Sequence, residues 1–154
     1  MKRGDLADEV CSIARPAALL GDSWTFMILR DAFSGIRRFD QFHERLGLSR
    51  PLLARRLAAL VEAGVLDKHA YADTRRTRDE YRLTAKGLDL FPILLALRSF
   101  ADKHLSPDGP IVESRHRDCG GAVQLHVTCA DCGNELGARD ITSAAGPGAL
   151  AARA

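Results

Sequence analysis

The stretch LSRPLLARRLAALVEAGVL, residues 48–66, constrains the fold most. Ser49 is a good helix N-cap, and Pro51 falls in the first turn, where its missing N–H does no harm. Leu53, Leu57, Leu60 and Val61 recur at i, i+4, i+7 and i+8, one apolar stripe along a helix. Gly64 is well placed to end it. The opposite side carries Arg55, Ala58, Ala59 and Glu62, with Arg56 at the edge. Just upstream, Phe39, Phe42 and Leu46 lie at spacings of three and four and mark a short helix from about Asp40 that Gly47 breaks. A short helix, a glycine turn and a second amphipathic helix in direct order make a helix-turn-helix pattern. Two helices packed this way let the second present its N-terminal residues to a groove of matching width.

The segment after Gly64 strengthens the pattern. Val65 to Tyr71 reads as a strand, ADTRRTRD as a polar loop, and Glu80 to Leu83 as a second strand. The resulting β-hairpin carries Arg75, Arg76 and Arg78 at its tip, as a DNA-contacting wing would. Residues 30–86 hold thirteen basic and eight acidic side chains, whereas both flanks are slightly acidic. The overall charge of +2 hides this basic middle, the local field a polyanion-binding surface needs.

Flanking elements are also legible. Ala14 to Leu20 suits a short helix ended by Gly21, and Asp22 or Ser23 can cap a helix over Trp24 to Phe33. Thr84 caps a long helix from Ala85 to about His104, with a kink or a break expected near Asp89 from Pro92. Its FPILLAL segment is apolar nearly all round, so it must bury more than one face, and a second copy of the chain is the natural partner.

SPDGP at 106–110 reads as a linker, which gives a main domain over 1–105 and a small cysteine-containing unit over 106–137. Residues 138–154 read as a low-complexity, disordered tail. In the small unit, His116-x2-Cys119-Gly and Cys129-x2-Cys132-Gly are two similar turns with Val123, Leu125 and Val127 alternating between them as a strand. Such turns can supply four ligands to a structural zinc. A redox dithiol at Cys129/Cys132 and three unligated thiols are the alternatives, and His126 reads as solvent-facing. The expected fold class is mainly α with a β-hairpin wing, plus a small β, zinc-ribbon-like unit.

No P-loop, dinucleotide glycine fingerprint or nucleophile elbow is present, so no enzyme is expected. No apolar run reaches the ~18–20 residues a membrane helix needs, and no signal-like segment opens the chain, so a cytoplasmic protein is expected. Double-stranded DNA is the expected partner. A zinc-binding interaction adaptor is an alternative from another class.

The chain resembles the HxlR-type bacterial regulators, relatives of MarR-type winged-helix proteins. The resemblance rests on Cys11, GDSW at Gly21–Trp24, ILRD at Ile28–Asp31, RRFDQF at Arg37–Phe42, the 48–66 stretch, and EYRLTAKG at Glu80–Gly87. It implies operator binding as a homodimer, usually as a repressor, with terminal helices making the dimer. It aligns Ser49 with the start of the recognition helix and Arg50, Pro51, Ala54 and Arg55 with its outward positions. Arg38 aligns with an arginine whose role is phosphate contact or internal packing. Arg50 and Arg55 are expected at bases, and Arg75 and Arg76 at phosphates, with Arg56 and Arg78 in the same DNA-contact set. Ser12 stands where the family has proline, and the wing reads TRRTRDEY without the usual proline. The resemblance also makes Cys11 a candidate redox or electrophile sensor, with an oxidant or small molecule as effector; a buried packing thiol is the alternative.

Overall fold

The computed structural model describes Leu6, residues 9–73 and residues 76–151. They fall into two compact units, one reaching Leu94 and one starting at Leu95. The division lies inside a helix, upstream of the linker at which the sequence placed it. Two contacts explain the shift. Leu90 and Leu94 pack on the core of the first unit, whereas Arg98 donates from Nη1 to Ser114 Oγ at 2.7 Å in the second.

The first unit runs α1 (Ala14–Leu20), α2 (Ser23–Phe33), α3 (Phe39–Leu46), α4 (Arg50–Glu62), β1 (Leu66–Asp73), β2 (Arg76–Leu83), α5 (Ala85–Leu88) and the start of α6 (Phe91–His104). Asp22 caps α2 by accepting from the Trp24 N–H. Gln41 Oε1 accepts from the N–H of Arg38 at 3.1 Å and fixes the entry to α3. Gly47 turns the chain between α3 and α4 at φ +64°, a conformation open to glycine at little cost. Ser49 occupies the N-cap position of α4, but its hydroxyl makes no cap bond.

The core gathers Ile28 and Leu29 of α2, Phe42 of α3, Leu53, Leu57 and Leu60 of α4, and Val65 and Leu66 entering β1. This is the apolar stripe read from the sequence, and each such side chain contributes about 2 kcal/mol on burial. Asp31 lies fully buried beside it. Its carboxylate accepts from Arg30 Nε at 2.9 Å and stands 3.5 Å from Arg45 Nε, which ties α2 to α3.

The hairpin is longer than the sequence suggested. β1 and β2 pair antiparallel from Leu66 opposite Leu83 out to Asp73 opposite Arg76. Most of the segment expected as loop therefore belongs to the ladder, where each added pair satisfies backbone groups. The connector before α3 adds a further rung: Arg38 bridges Glu80, and the Tyr81 N–H donates to Arg37 O at 2.7 Å. The wing is thereby anchored to the helix-turn-helix. Its base is held by Thr84, which donates to Gly64 O at 2.7 Å, and by Lys86, which donates to Ala63 O at 2.7 Å at the end of α4. Gly87 sits so close that a Cβ there would lie 2.2 Å from Val65 O.

The kink or break expected near Asp89 takes the form of a break, with α5 ending at Leu88 and α6 beginning at Phe91, so that Pro92 falls in a first turn. No residue of α6 is buried, and Phe91, Ile93, Leu97 and Phe100 are exposed.

In the second unit, the two cysteine turns repeat one backbone design. His116 N–H donates to Gly121 O, Gly120 N–H to His116 O, and Val123 N–H to Ser114 O. Thirteen positions on, Cys129 donates to Asn134, Gly133 to Cys129, and Leu136 to Val127. Gly120 and Gly133 both take positive φ, +69° and +73°. The strand expected through Val123, Leu125 and Val127 does not form; only the isolated bridges Arg115 to Ala122 and Thr128 to Glu135 are present among the described residues of this unit. The local turn bonds take up the backbone groups that a ladder would have used. A short helix, α7 (Pro147–Ala151), lies in the segment expected as a disordered tail.

Candidate nucleic-acid interface

The N-terminal turn of α4 is open to solvent: Ser49, Arg50, Pro51, Ala54 and Arg55 are all exposed. Leu53 and Leu57 on the other face are fully buried, so the core fixes which side chains point outward. The sequence expectation for these five positions and the structure therefore coincide in placement.

Arg56 does not belong to that face. Its Nη2 lies 2.5 Å from Asp22 Oδ2, and its side chain is largely covered. It pins α4 to the capped start of α2, and its guanidinium is turned inward rather than toward a groove.

Arg50 is exposed but held. Its Nη2 donates to Asp40 Oδ1 at 2.9 Å, and its guanidinium lies 4.9 Å from the centre of the Phe39 ring. Arg78 of β2 donates from Nη1 to the other oxygen, Asp40 Oδ2, at 3.1 Å. Arg38, also exposed, lies over the Tyr71 ring of β1 at 4.7 Å. Cation–π contact of this kind is worth about 0.5–1 kcal/mol when exposed. A hollow of about 350 Å³ opens between these groups, lined by Arg38, Arg50 and Arg78, by Asp40 and Asp79, and by the aromatic residues Phe39, Tyr71 and Tyr81. Arg76 closes the described hairpin opposite Asp73 in backbone register, and Arg75 lies outside the described residues. Asp40, Tyr71 and Tyr81 have no site role in the sequence pattern, and Phe39 is legible there only as part of the apolar stripe of α3.

The cysteines divide in the same way. Cys11 is exposed and accepts from the Ala14 N–H at 3.4 Å. That backbone donor, followed by Ile13, holds the Cys11 thiol below its ordinary pKa. Its side chain is not the buried packing residue weighed as the alternative. His116 Nδ1 lies 3.1 Å from Cys119 Sγ, while Cys129 and Cys132 form the other pair. The Cys129 thiol is lowered by backbone N–H groups of Cys132 and Asp131 and by the Cys132 side chain. Among the described residues, no three His, Cys, Asp or Glu side chains gather as metal ligands. His126 is exposed and meets Glu135 at 2.8 Å and Gln124 at 3.1 Å. No described helix is long and apolar enough to cross a membrane.

A basic helix N-terminus beside an anchored two-stranded wing defines a winged helix-turn-helix DNA-binding transcriptional regulator. Comparison with known proteins agrees. The model of the HxlR-like helix-turn-helix family matches residues 19–109, and the chain belongs to that family. An uncharacterized HTH-type transcriptional regulator of Mycobacterium tuberculosis is 43% identical over 138 residues, which cover 89% of this chain and 87% of the relative. The crystal structure of PA1607, a candidate transcription factor, superposes with a TM-score of 0.80 at 39% identity, over 91% of this chain and 98% of PA1607. The reduced form of the transcriptional regulator YodB from B. subtilis superposes at 0.54 and 27% identity, over 64% of this chain and 98% of YodB, and YodB is also known in a diamide-treated form. These relatives are regulators rather than enzymes.

Proposed function

We propose that the protein is a homodimeric repressor that reads a pseudo-palindromic operator. The observation that carries this reading is the exposed first turn of α4, with Arg50 and Arg55 outward on a helix whose inner face is fully buried. Either arginine can donate two parallel bonds to guanine. The Ser49 hydroxyl, which makes no cap bond, and the first-turn N–H groups of Arg50 and Leu52, which have no acceptor within the helix, suit a backbone phosphate. Arg38, Arg75, Arg76 and Arg78 are assigned to phosphates beside the groove. Arg56, engaged with Asp22, is withdrawn from the contact set. The exposed apolar side of α6 supplies the dimer contact. A two-fold dimer sets half-site centres one helical turn, about 10 bp, or a multiple of it apart.

Selection from random duplex DNA, followed by footprinting, tests the reading. It expects a palindromic sequence protected by a dimer. Binding by a monomer to an asymmetric site, or no enrichment at all, overturns it.

Cys11 is assigned as an oxidant-responsive switch because its exposed thiol is held toward the thiolate by local backbone donors. Loss of operator binding with diamide is expected in the wild type and not in Cys11→Ser; loss in both excludes Cys11. His116, Cys119, Cys129 and Cys132 are assigned to one structural zinc, favoured by the repeated turn that offers two donors each time. No three of these groups gather among the described residues, so binding must bring the two turns together around the ion. One equivalent of zinc per chain that slows amide exchange in both turns supports the assignment. Absence of zinc, or protection of one turn only, removes it.

A further inference from the structure

Asp40 is an acid placed where DNA phosphates would approach, beside the first turn of α4. Left unpaired there, it would only repel the ligand. Its two oxygens are instead divided between two elements: Oδ1 takes Arg50 from the start of α4, and Oδ2 takes Arg78 from β2. Phe39, one residue before it, lies against the same Arg50 guanidinium. A single residue of α3 thus sets the pose of one arginine on the reading helix and one on the wing. All three side chains are about half exposed, so these pairs add little to fold stability. What they do is restrict rotamers. An arginine fixed before contact loses less freedom on docking, and it is mispositioned for the wrong base. One of its five N–H groups is spent on Asp40, and the rest suffice for a bidentate contact.

We propose that Asp40 is a positioning residue that locks Arg50 and Arg78 into one pose, lowering affinity for DNA at large and raising discrimination between sequences. This rests on the reading of α4 and the wing as the DNA-contacting surface.

The test compares wild type with Asp40→Asn and Asp40→Glu. Two duplexes of equal length serve as probes: the sequence wild type selects from random DNA, and an unrelated one. Each is titrated across a salt series. Removing the carboxylate charge releases Arg50 and Arg78 from Asp40 and lifts a repulsion, so Asp40→Asn should bind the unrelated duplex several-fold more tightly. Its log–log salt slope should steepen by roughly 1–2, as expected for one or two added phosphate contacts. The ratio of selected to unrelated binding should fall by about tenfold or more, and Asp40→Glu should restore part of it. Thermal stability serves as the control and should be nearly unchanged. A merely structural role would lower both affinities in parallel and lower the melting temperature, and that result overturns the proposal. So does an unchanged ratio. If wild type binds no duplex, the DNA reading itself fails and this proposal with it; wild-type discrimination with an unaltered Asp40→Asn ratio removes only the latch.

Discussion

Arg56 Nη2 lies 2.5 Å from Asp22 Oδ2, and the same carboxylate group caps α2 through the Trp24 N–H. One aspartate therefore starts a helix and anchors the reading helix to it. The neighbouring Arg55 points the other way, into solvent. Two adjacent arginines should thus separate stability from recognition. Arg56→Ala removes a charge-assisted bond in a largely covered site and should cost roughly 1.5–3 kcal/mol of stability. Arg55→Ala should leave thermal unfolding within about 0.5 kcal/mol of wild type yet weaken operator binding by ~1–3 kcal/mol and relax base preference. Calorimetry and operator titration on the two variants check this, and a reversed pattern would show that the face of α4 is wrongly assigned.

The buried Asp31 predicts an asymmetry. Its partners Arg30 and Arg45 are half exposed and can return to water when the carboxylate is removed. The carboxylate cannot do so when they are removed, and Oδ2 accepts no hydrogen bond among the described residues. Arg30→Ala combined with Arg45→Ala should therefore destabilise by about 3–5 kcal/mol. Asp31→Asn should cost less, near 1–2 kcal/mol. Chemical denaturation of the variants decides it; equal losses would mean that the carboxylate is hydrated.

How far the sequence led, and where it stopped, is explained by the same contacts. The stripe Leu53, Leu57, Leu60 has a period, and a period fixes the buried face and hence its opposite. Pro92 announced the break between α5 and α6 because ring geometry is local. Arg56 has no such signal. It lies at the edge of the stripe, and its partner Asp22 is 34 positions away. Asp40 likewise meets partners 10 and 38 positions distant, joined only by the finished fold. Alternation at Val123, Leu125 and Val127 misled because a period of two forms a strand only where a partner edge exists. Here the turn hydrogen bonds are closed locally around Gly120 and Gly133.

The Cys11 thiol carries a pH prediction. Donors from Ala14 and Ile13 favour the thiolate, so the folded pKa lies below that of an ordinary thiol and more thiolate exists at neutral pH than in an unfolded chain. Alkylation by iodoacetamide should rise with pH through a midpoint below that of a denatured control, and Cys11 should be modified at neutral pH. Mass spectrometry of partially labelled protein reads the site. A midpoint equal to that of the denatured control would show that the backbone donors do not act on the sulfur.

The exposed side of α6 gives the prediction with the widest reach. Leu97 and Phe100 are about half exposed, and no residue of this helix is buried within the chain. Apolar groups left open in this number along one helix mark a surface that another molecule covers. In the proposed dimer, a charge placed there would be desolvated without a partner. Leu97→Glu with Phe100→Glu should therefore shift sedimentation at micromolar concentration from dimer to monomer. The core of the first unit lies around Leu53, Leu57 and Phe42, so the far-ultraviolet circular dichroism should change little. Operator affinity should fall with the dimer, since each half-site would be bound alone, while affinity for a single half-site should hold. A variant that stays dimeric places the subunit contact elsewhere. One that becomes monomeric yet binds the full operator as tightly as wild type would show that pairing across α6 does not serve recognition.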